Sequence, residues 1–380
     1  MEIIKNGSAS MRVLHINSYY STSRFYKNLY DKQVRDGIGI DVFVPVPTSH
    51  IDNNFDYGEY TKVSESYSKY DRAFFHIKNG KILRGVIKNF KVDNYSLIHA
   101  HSLFTNGYIA YKLKEKYNTP YIVAVRNTDV NVFFKKMIHL RNLGVNILKS
   151  AEYIIFLSDS YKKLVINNYI PSKDRSIIER KIRVIPNGID HFWFRNKFDR
   201  KENPLKQTEK VRILQVGDIN RNKNQSATVQ AIKLLIDEGY KIKYTIVGNV
   251  KDNEIFNKIT SEKFVDYIPP LPKERLLEVY RNNDIFVMPS ITETFGLVYA
   301  EAMSQGLPII YTKNQGFDGQ FYDGEVGYSV NCFDKENIKD RLIQVIKNHQ
   351  QISSDNIHRC QKFDWKEINN QYIELYKRMI

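Results

Sequence analysis

Short, almost wholly apolar runs separated by longer amphipathic stretches set the pattern of this chain. Residues 12–17, 40–45, 96–101, 121–125 and 151–158 form such runs in the first half, and 211–217, 243–248, 264–270 and 284–290 in the second. Runs of this length without polar alternation predict strands covered on both faces, as in a parallel sheet. Between them, residues 25–36, 107–117, 225–237, 276–281, 334–348 and 365–378 predict helices. Strand–helix–strand repetition of this kind predicts an α/β protein with doubly wound sheets. A chain of 380 residues exceeds the usual single core, so two domains are expected. The charged, proline-containing stretch 195–210 reads as the linker, separating residues 1–194 from 211–362.

Three segments depart from the regular pattern. Residues 51–70 are polar and read as loop. In 72–91, Asn79-Gly80 signals a hairpin turn, so 74–77 reads as a strand, with helical spacing resuming from Ile82 to Phe90. Residues 133–149 place Lys135, Lys136, His139, Arg141 and Lys149 on an apolar stretch. Either basic segment fits an anionic lipid surface or a helix packed on the sheet.

Charge divides the chain unevenly. Residues 1–200 carry 32 Lys and Arg against 18 Asp and Glu, and residues 201–380 carry 25 against 24. The excess belongs to the first half and points to an acidic membrane or anionic acceptor; a solvated surface and nucleic acid are the alternatives. Cys332 and Cys360 are too few for a disulfide scaffold, have no metal spacing, and fit buried thiols in a reducing cytosol. No apolar run reaches the length of a spanning helix, and the first ten residues hold no signal-peptide core. His99 and His101 invite a metal, but no third ligand with suitable spacing appears in the sequence. His101 is instead expected at the ligand-binding end of its strand.

The most informative stretch is PSITETFGLVYAEAMSQGLP, residues 289–308. A strand ends at Pro289, a loop carries Glu293, and a helix follows that Gly306 and Pro308 terminate. Glu301 lies eight residues beyond Glu293, about 12 Å along a helix axis and about 80° around it, so both acids can line one crevice. Amide groups from Thr294 through Phe295 and Gly296 to Leu297 stand between them as a phosphate cradle. Acceptors at both ends and a cradle between suit a nucleotide-sugar.

This stretch resembles the paired-glutamate signature of the retaining glycosyltransferases of family 4, whose fold is GT-B: two facing Rossmann-like domains with a cleft between them. Residues 186–190 (Pro-Asn-Gly-Ile-Asp) with Phe194 also resemble that family's sequence at the end of its first domain. The resemblance implies transfer of a sugar from a nucleotide donor, UDP-linked by expectation, to a glycan or polyprenyl-linked hydroxyl in surface polysaccharide assembly. It implies that Glu293 contacts the donor sugar and Glu301 the ribose. Lys223 matches the family lysine that neutralises the diphosphate, near Gly217. Asp218 stands where an arginine is expected, leaving Arg221 as the candidate replacement. Gly248 falls in a ligand-side turn and Ile268 where relatives place the nucleobase. Arg126 and Asn127 replace a histidine–glycine pair, with Asp129 retained. Arg126 suits a phosphate or acidic sugar, or an ion pair with Asp129. The loop of Ser18, Tyr19 and Arg24 offers hydroxyls to an acceptor or is ordinary turn chemistry. Residues 363–380 match the final helix that crosses back to the first domain in this fold. No protein nucleophile and no Asp-x-Asp metal motif stands out, so metal-independent chemistry without a cofactor and a cytoplasmic location, peripheral at the membrane, are expected. A nucleotide-sugar epimerase of the same fold and a basic polyanion-binding protein are the alternatives.

Overall fold

The computed structural model describes residues 11–49, 54–199 and 210–380, which form two compact units. The first comprises the chain up to Leu157, Lys162–Ile185 and Trp365–Ile380, and the second Ser158–Tyr161 and Pro186–Asp364. The sequence boundary at 194 therefore moves to 185. Residues 186–194 join the second unit because Asp190 pairs with Lys273 at 2.6 Å and Trp193 packs edge-on to Tyr280.

The first unit holds seven strands: β1 (Arg12–Ile16), β2 (Gly39–Pro47), β3 (Thr61–Tyr67), β4 (Leu97–Ala100), β5 (Tyr121–Ala124), β6 (Tyr153–Phe156) and β7 (Ile182–Val184). They pair in parallel in the order β3-β2-β1-β4-β5-β6-β7. The final helix, Trp365–Lys377, belongs to this unit and shares its core with the helix Tyr26–Arg35 through Trp365, Ile368, Tyr372 and Tyr376.

The second unit holds β8 (Val211–Val216), β9 (Ile242–Val247), β10 (Val265–Ile268), β11 (Ile285–Met288), β12 (Ile309–Thr312) and β13 (Gly327–Val330). These are also parallel, in the order β10-β9-β8-β11-β12-β13. Both orders are doubly wound, with the reversal beside β1 in one unit and β8 in the other. Ligand crevices open at such a reversal, beyond the carboxyl ends of the strands.

Two local expectations fail. Asn79-Gly80 makes no hairpin, because the helix Phe75–Asn89 runs straight through it, burying Asn79, Ile82 and Val86. A helical period sustained over fifteen residues outweighs a dipeptide turn signal, even with two internal glycines, Gly80 and Gly85. Residues 51–70 are not all loop, since Thr61–Tyr67 pairs with β2. Its polar composition fits an edge strand, in which only Tyr67 is fully buried. No helix among the described residues is long and apolar enough to cross a membrane.

Candidate active site

In the second unit the loops after β8 and β11 meet at the sheet reversal. Asn222 joins them: its main-chain carbonyl accepts from the Ile291 amide at 2.8 Å, and its side chain exchanges bonds with Thr292. Asn224, in the left-handed region at φ 57°, reaches Pro289 and Cys332 carbonyls. Buried Gln215 donates to the Lys223 carbonyl at 2.7 Å and is itself fixed by the Tyr244 hydroxyl at 2.6 Å. Lys223 Nζ thereby sits 2.6 Å from Glu293 Oε2, with both side chains largely covered. The pair brings together a cation and a carboxylate that are seventy residues apart in sequence.

Glu293 is held from three sides. Its amide donates to Gln315 Oε1, its carbonyl accepts from Gly316, and its Oε1 accepts from the Thr294 amide. The Thr294 amide is therefore occupied by its neighbour's carboxylate and is not part of a free cradle. The helix begins one turn later, at Leu297, after Gly296 at φ 75°. A Cβ on Gly296 would meet the Tyr299 ring at 2.5 Å and Glu293 Cγ at 3.3 Å. The Phe295 side chain is buried against Phe317 and Phe363, so only its main chain can face a ligand. Leu297 and Val298 open the helix, where main-chain N–H groups lack intrahelical partners.

Glu301 lies within the helix Leu297–Ser304 and is mostly covered. It accepts from the Tyr280 hydroxyl at 3.2 Å. Burial pushes its carboxyl up to about 7; Tyr280 and Trp193 oppose the shift, and Asp190 adds to it. A mostly covered carboxylate with a donor aimed at one oxygen keeps lone pairs to accept from hydroxyls.

The remaining expected residues are less uniform. Gly217 and Gly248 touch at the ends of β8 and β9, where a Cβ on Gly248 would fall 2.0 Å from the Gly217 carbonyl oxygen. Ile268 ends β10, half-covered. Arg221 is exposed, and Asp218 accepts from Asn249 at 3.1 Å, so the position that carries Asp218 supplies no cation.

In the first unit, Asp129 is not an acid turned toward a sugar. It is almost fully buried, and its carboxylate accepts from the Leu103, Phe104 and Arg126 amides at 2.8–3.0 Å. Burial pushes it up to about 6 against those three bonds. Its work is to fix the turns after β4 and β5 and so place Arg126, whose Nε donates to the His101 carbonyl at 3.2 Å. Tyr19 is half-covered, and burial drives its hydroxyl well above the ordinary range, with Asp129 adding to the shift and Arg126 opposing it. Ser18 takes the Asn106 side-chain oxygen on its amide. Arg24 is exposed and lies over the Phe55 ring.

His101 is corrected in the same way. It is fully buried, stacked on His99 at 4.1 Å, with Nε2 3.0 Å from His15 Nδ1. The third histidine missing from the spacing argument is His15, brought opposite His99 by the β1–β4 register. All three are driven well below the ordinary histidine range by burial, with Arg126 adding to the effect on His99 and His101. A divalent ion here would share a dry core with that guanidinium, which disfavours it. His99 is instead tied to the last helix by the Tyr376 hydroxyl at 2.6 Å.

Gly316 provides a direct test of the Glu293 loop. A Cβ there would lie 1.8 Å from the Thr294 carbonyl oxygen, so Gly316→Ala must displace the loop. Displacement by about 1 Å corresponds to roughly 100-fold in turnover. That loss is expected with a melting temperature that still reports a cooperative fold.

Two doubly wound parallel units in one chain define the GT-B class. The profile of the Glycosyltransferase Family 4 family matches residues 22–191, and that of Glycosyl transferases group 1 matches residues 196–361. The chain belongs to this family of glycosyltransferases and is a transferase. A protein of the cps region of Klebsiella pneumoniae is 28% identical over 77% of this chain and 81% of its own length. The D-inositol 3-phosphate glycosyltransferase of Corynebacterium urealyticum is 24% identical over 75% and 72%. Among solved structures, sucrose-phosphate synthase of Thermosynechococcus elongatus superposes with a TM-score of 0.75 at 17% identity, covering 97% of this chain and 99% of that one. Anabaena HepE in complex with UDP-glucose superposes with a TM-score of 0.68 at 15% identity, covering 97% and 100%. Likenesses of this low identity carry the fold.

Proposed function

We propose that the chain transfers a sugar from a UDP-sugar to a hydroxyl of a glycan or lipid-linked acceptor in surface polysaccharide assembly, with retention at the anomeric carbon. The observation that carries this is the Lys223–Glu293 pair at the β8–β11 reversal, with Glu301 farther along the adjoining helix. In this reading the diphosphate displaces Glu293 from Lys223 and lies on the opening amides at Leu297 and Val298. Glu293 then accepts from the sugar hydroxyls and Glu301 from the ribose. The bond from the anomeric carbon to phosphate breaks, the bond to the acceptor oxygen forms on the same face, and the departing diphosphate takes the acceptor proton. Lys223 and the helix dipole compensate the charge that develops, so no metal is required. Arg126 and Tyr19 belong to the acceptor side.

The UDP-glucose complex of a structural neighbour and the cps-region relative support the donor class and the setting. Exposed Tyr70, Phe74, Ile77 and Ile138, beside the basic segments of the first unit, support peripheral contact with anionic lipid. Proton NMR of the first-formed product, with and without EDTA, tests the mechanism. Retained configuration and undiminished turnover are expected; inversion, or abolition by EDTA, would reject it.

A further inference from the structure

At the amino ends of β5, β6 and β7 the first unit carries a concavity of about 430 Å³, lined by Glu152, Tyr153, Arg180, Lys181, Arg183 and Arg378. Glu152 and Lys181 directly precede β6 and β7, whereas Tyr19 and Arg126 follow the carboxyl ends of β1 and β5 in the same parallel sheet. A four-residue strand separates the two ends by roughly 13 Å.

Four cations share this pocket with one carboxylate, and Lys114 already engages that carboxylate at 2.7 Å. Arg378 pairs with Glu374. The other three cations are fixed by groups that do not neutralise them. Lys181 Nζ donates to the Lys149 and Ala151 carbonyls at 2.6 and 2.8 Å. Arg183 Nη1 donates to the Arg180 and Ile182 carbonyls at 3.1 and 2.7 Å, with the guanidinium 5.1 Å from the centre of the Tyr153 ring. Arg180 Nη2 donates to Ser176 Oγ at 3.0 Å. Among the described residues, Nε and Nη2 of Arg183, Nε and Nη1 of Arg180 and the Tyr153 hydroxyl meet no acceptor. Guanidinium donors held by neutral groups match the several oxygens of a phosphate, which they bind two at a time.

We propose that this pocket binds a small soluble anion bearing phosphate, of diphosphate or sugar-phosphate size, at a site separate from the donor crevice. Its volume falls in the range of small-molecule sites. The exposed apolar residues favour a soluble anion over a lipid headgroup. Tyr70 and Phe74 follow the carboxyl end of β3 and Ile138 that of β5, so a membrane held there leaves this pocket at the far end of the sheet.

The test is calorimetric titration of inorganic pyrophosphate into the full chain carrying Lys223→Ala, in which the diphosphate cradle of the second unit has lost its cation. The same protein with Arg180→Gln or Arg183→Gln added is titrated beside it. Saturable binding by the first, weakened roughly tenfold by either added substitution, is expected. Arg180 lies at the surface, so its variant gives the readout even where loss of the Arg183–Tyr153 contact lowers the melting temperature. No saturable binding, or equal binding by all three proteins, would overturn the inference. Sedimentation with phosphatidylglycerol vesicles separates the two sources of phosphate: vesicle binding lost in both arginine variants, with pyrophosphate ignored, would assign a headgroup and reject the soluble anion. None of these results depends on UDP binding by the wild-type chain, so the proposed transfer reaction stands or falls separately.

Discussion

Lys223→Ala is expected to lower turnover of the donor by 10²–10³ while the protein remains folded, read as UDP release under single-turnover conditions. The lysine is the cation that the Glu293 loop meets directly, at 2.6 Å, and neither Asp218 nor the exposed Arg221 duplicates it. Removing a preorganised group that stabilises developing negative charge costs roughly this factor. The substitution also leaves the mostly covered Glu293 side chain with only its bond from the Thr294 amide. Some stability is therefore lost as well. A circular-dichroism melt separates the two effects, since partial destabilisation does not change turnover at a temperature well below the transition.

Glu301→Gln is expected to act in opposite directions on stability and binding. A folded-state acid raised from 4.5 to about 7 contributes stability fully present below pH 4.5 and lost as pH rises through 7. Glutamine removes the cost of ionising a covered carboxyl, so the variant should be more stable by roughly 1–3 kcal/mol at pH 8. At pH 5 it should show no gain. For a unit of this size that is a rise of about 2–8 °C in melting temperature at pH 8. UDP affinity should fall by roughly 10–100-fold, because a charged acceptor is replaced by a neutral one. Stability bought at the expense of ligand affinity marks a strained functional group. A variant that loses stability at pH 8 would assign Glu301 a structural role.

The parts of this account that are legible in sequence are local ones. The strand ending at Pro289, the loop with Glu293, the helix with Glu301 and the stop at Gly306 lie within twenty residues, and each is specified by its own neighbours. The doubly wound pattern is legible because buried parallel strands are continuous apolar runs. Edge strands are not: Thr61–Tyr67 is largely polar and reads as loop. Roles set by long-range pairing are hidden as well. The identity of Asp129 is plain, but its partners are main-chain amides at Leu103 and Phe104, which no side-chain pattern announces. His15 joins His99 and His101 only through strand register. Tyr280 reaches Glu301 from another helix, with Trp193 packed edge-on against it, and no side-chain pattern announces that pairing.

The central claim is that the crevice at the β8–β11 reversal receives the nucleotide end of the donor. Calorimetric titration of UDP at pH 8 into wild-type protein and into Lys223→Ala, Glu301→Gln and the acceptor-side variant Tyr19→Phe tests it most directly. Saturable binding weakened at least tenfold by the first two substitutions and unchanged by the third is the expected result. UDP binding indifferent to Lys223 and Glu301 would contradict the account.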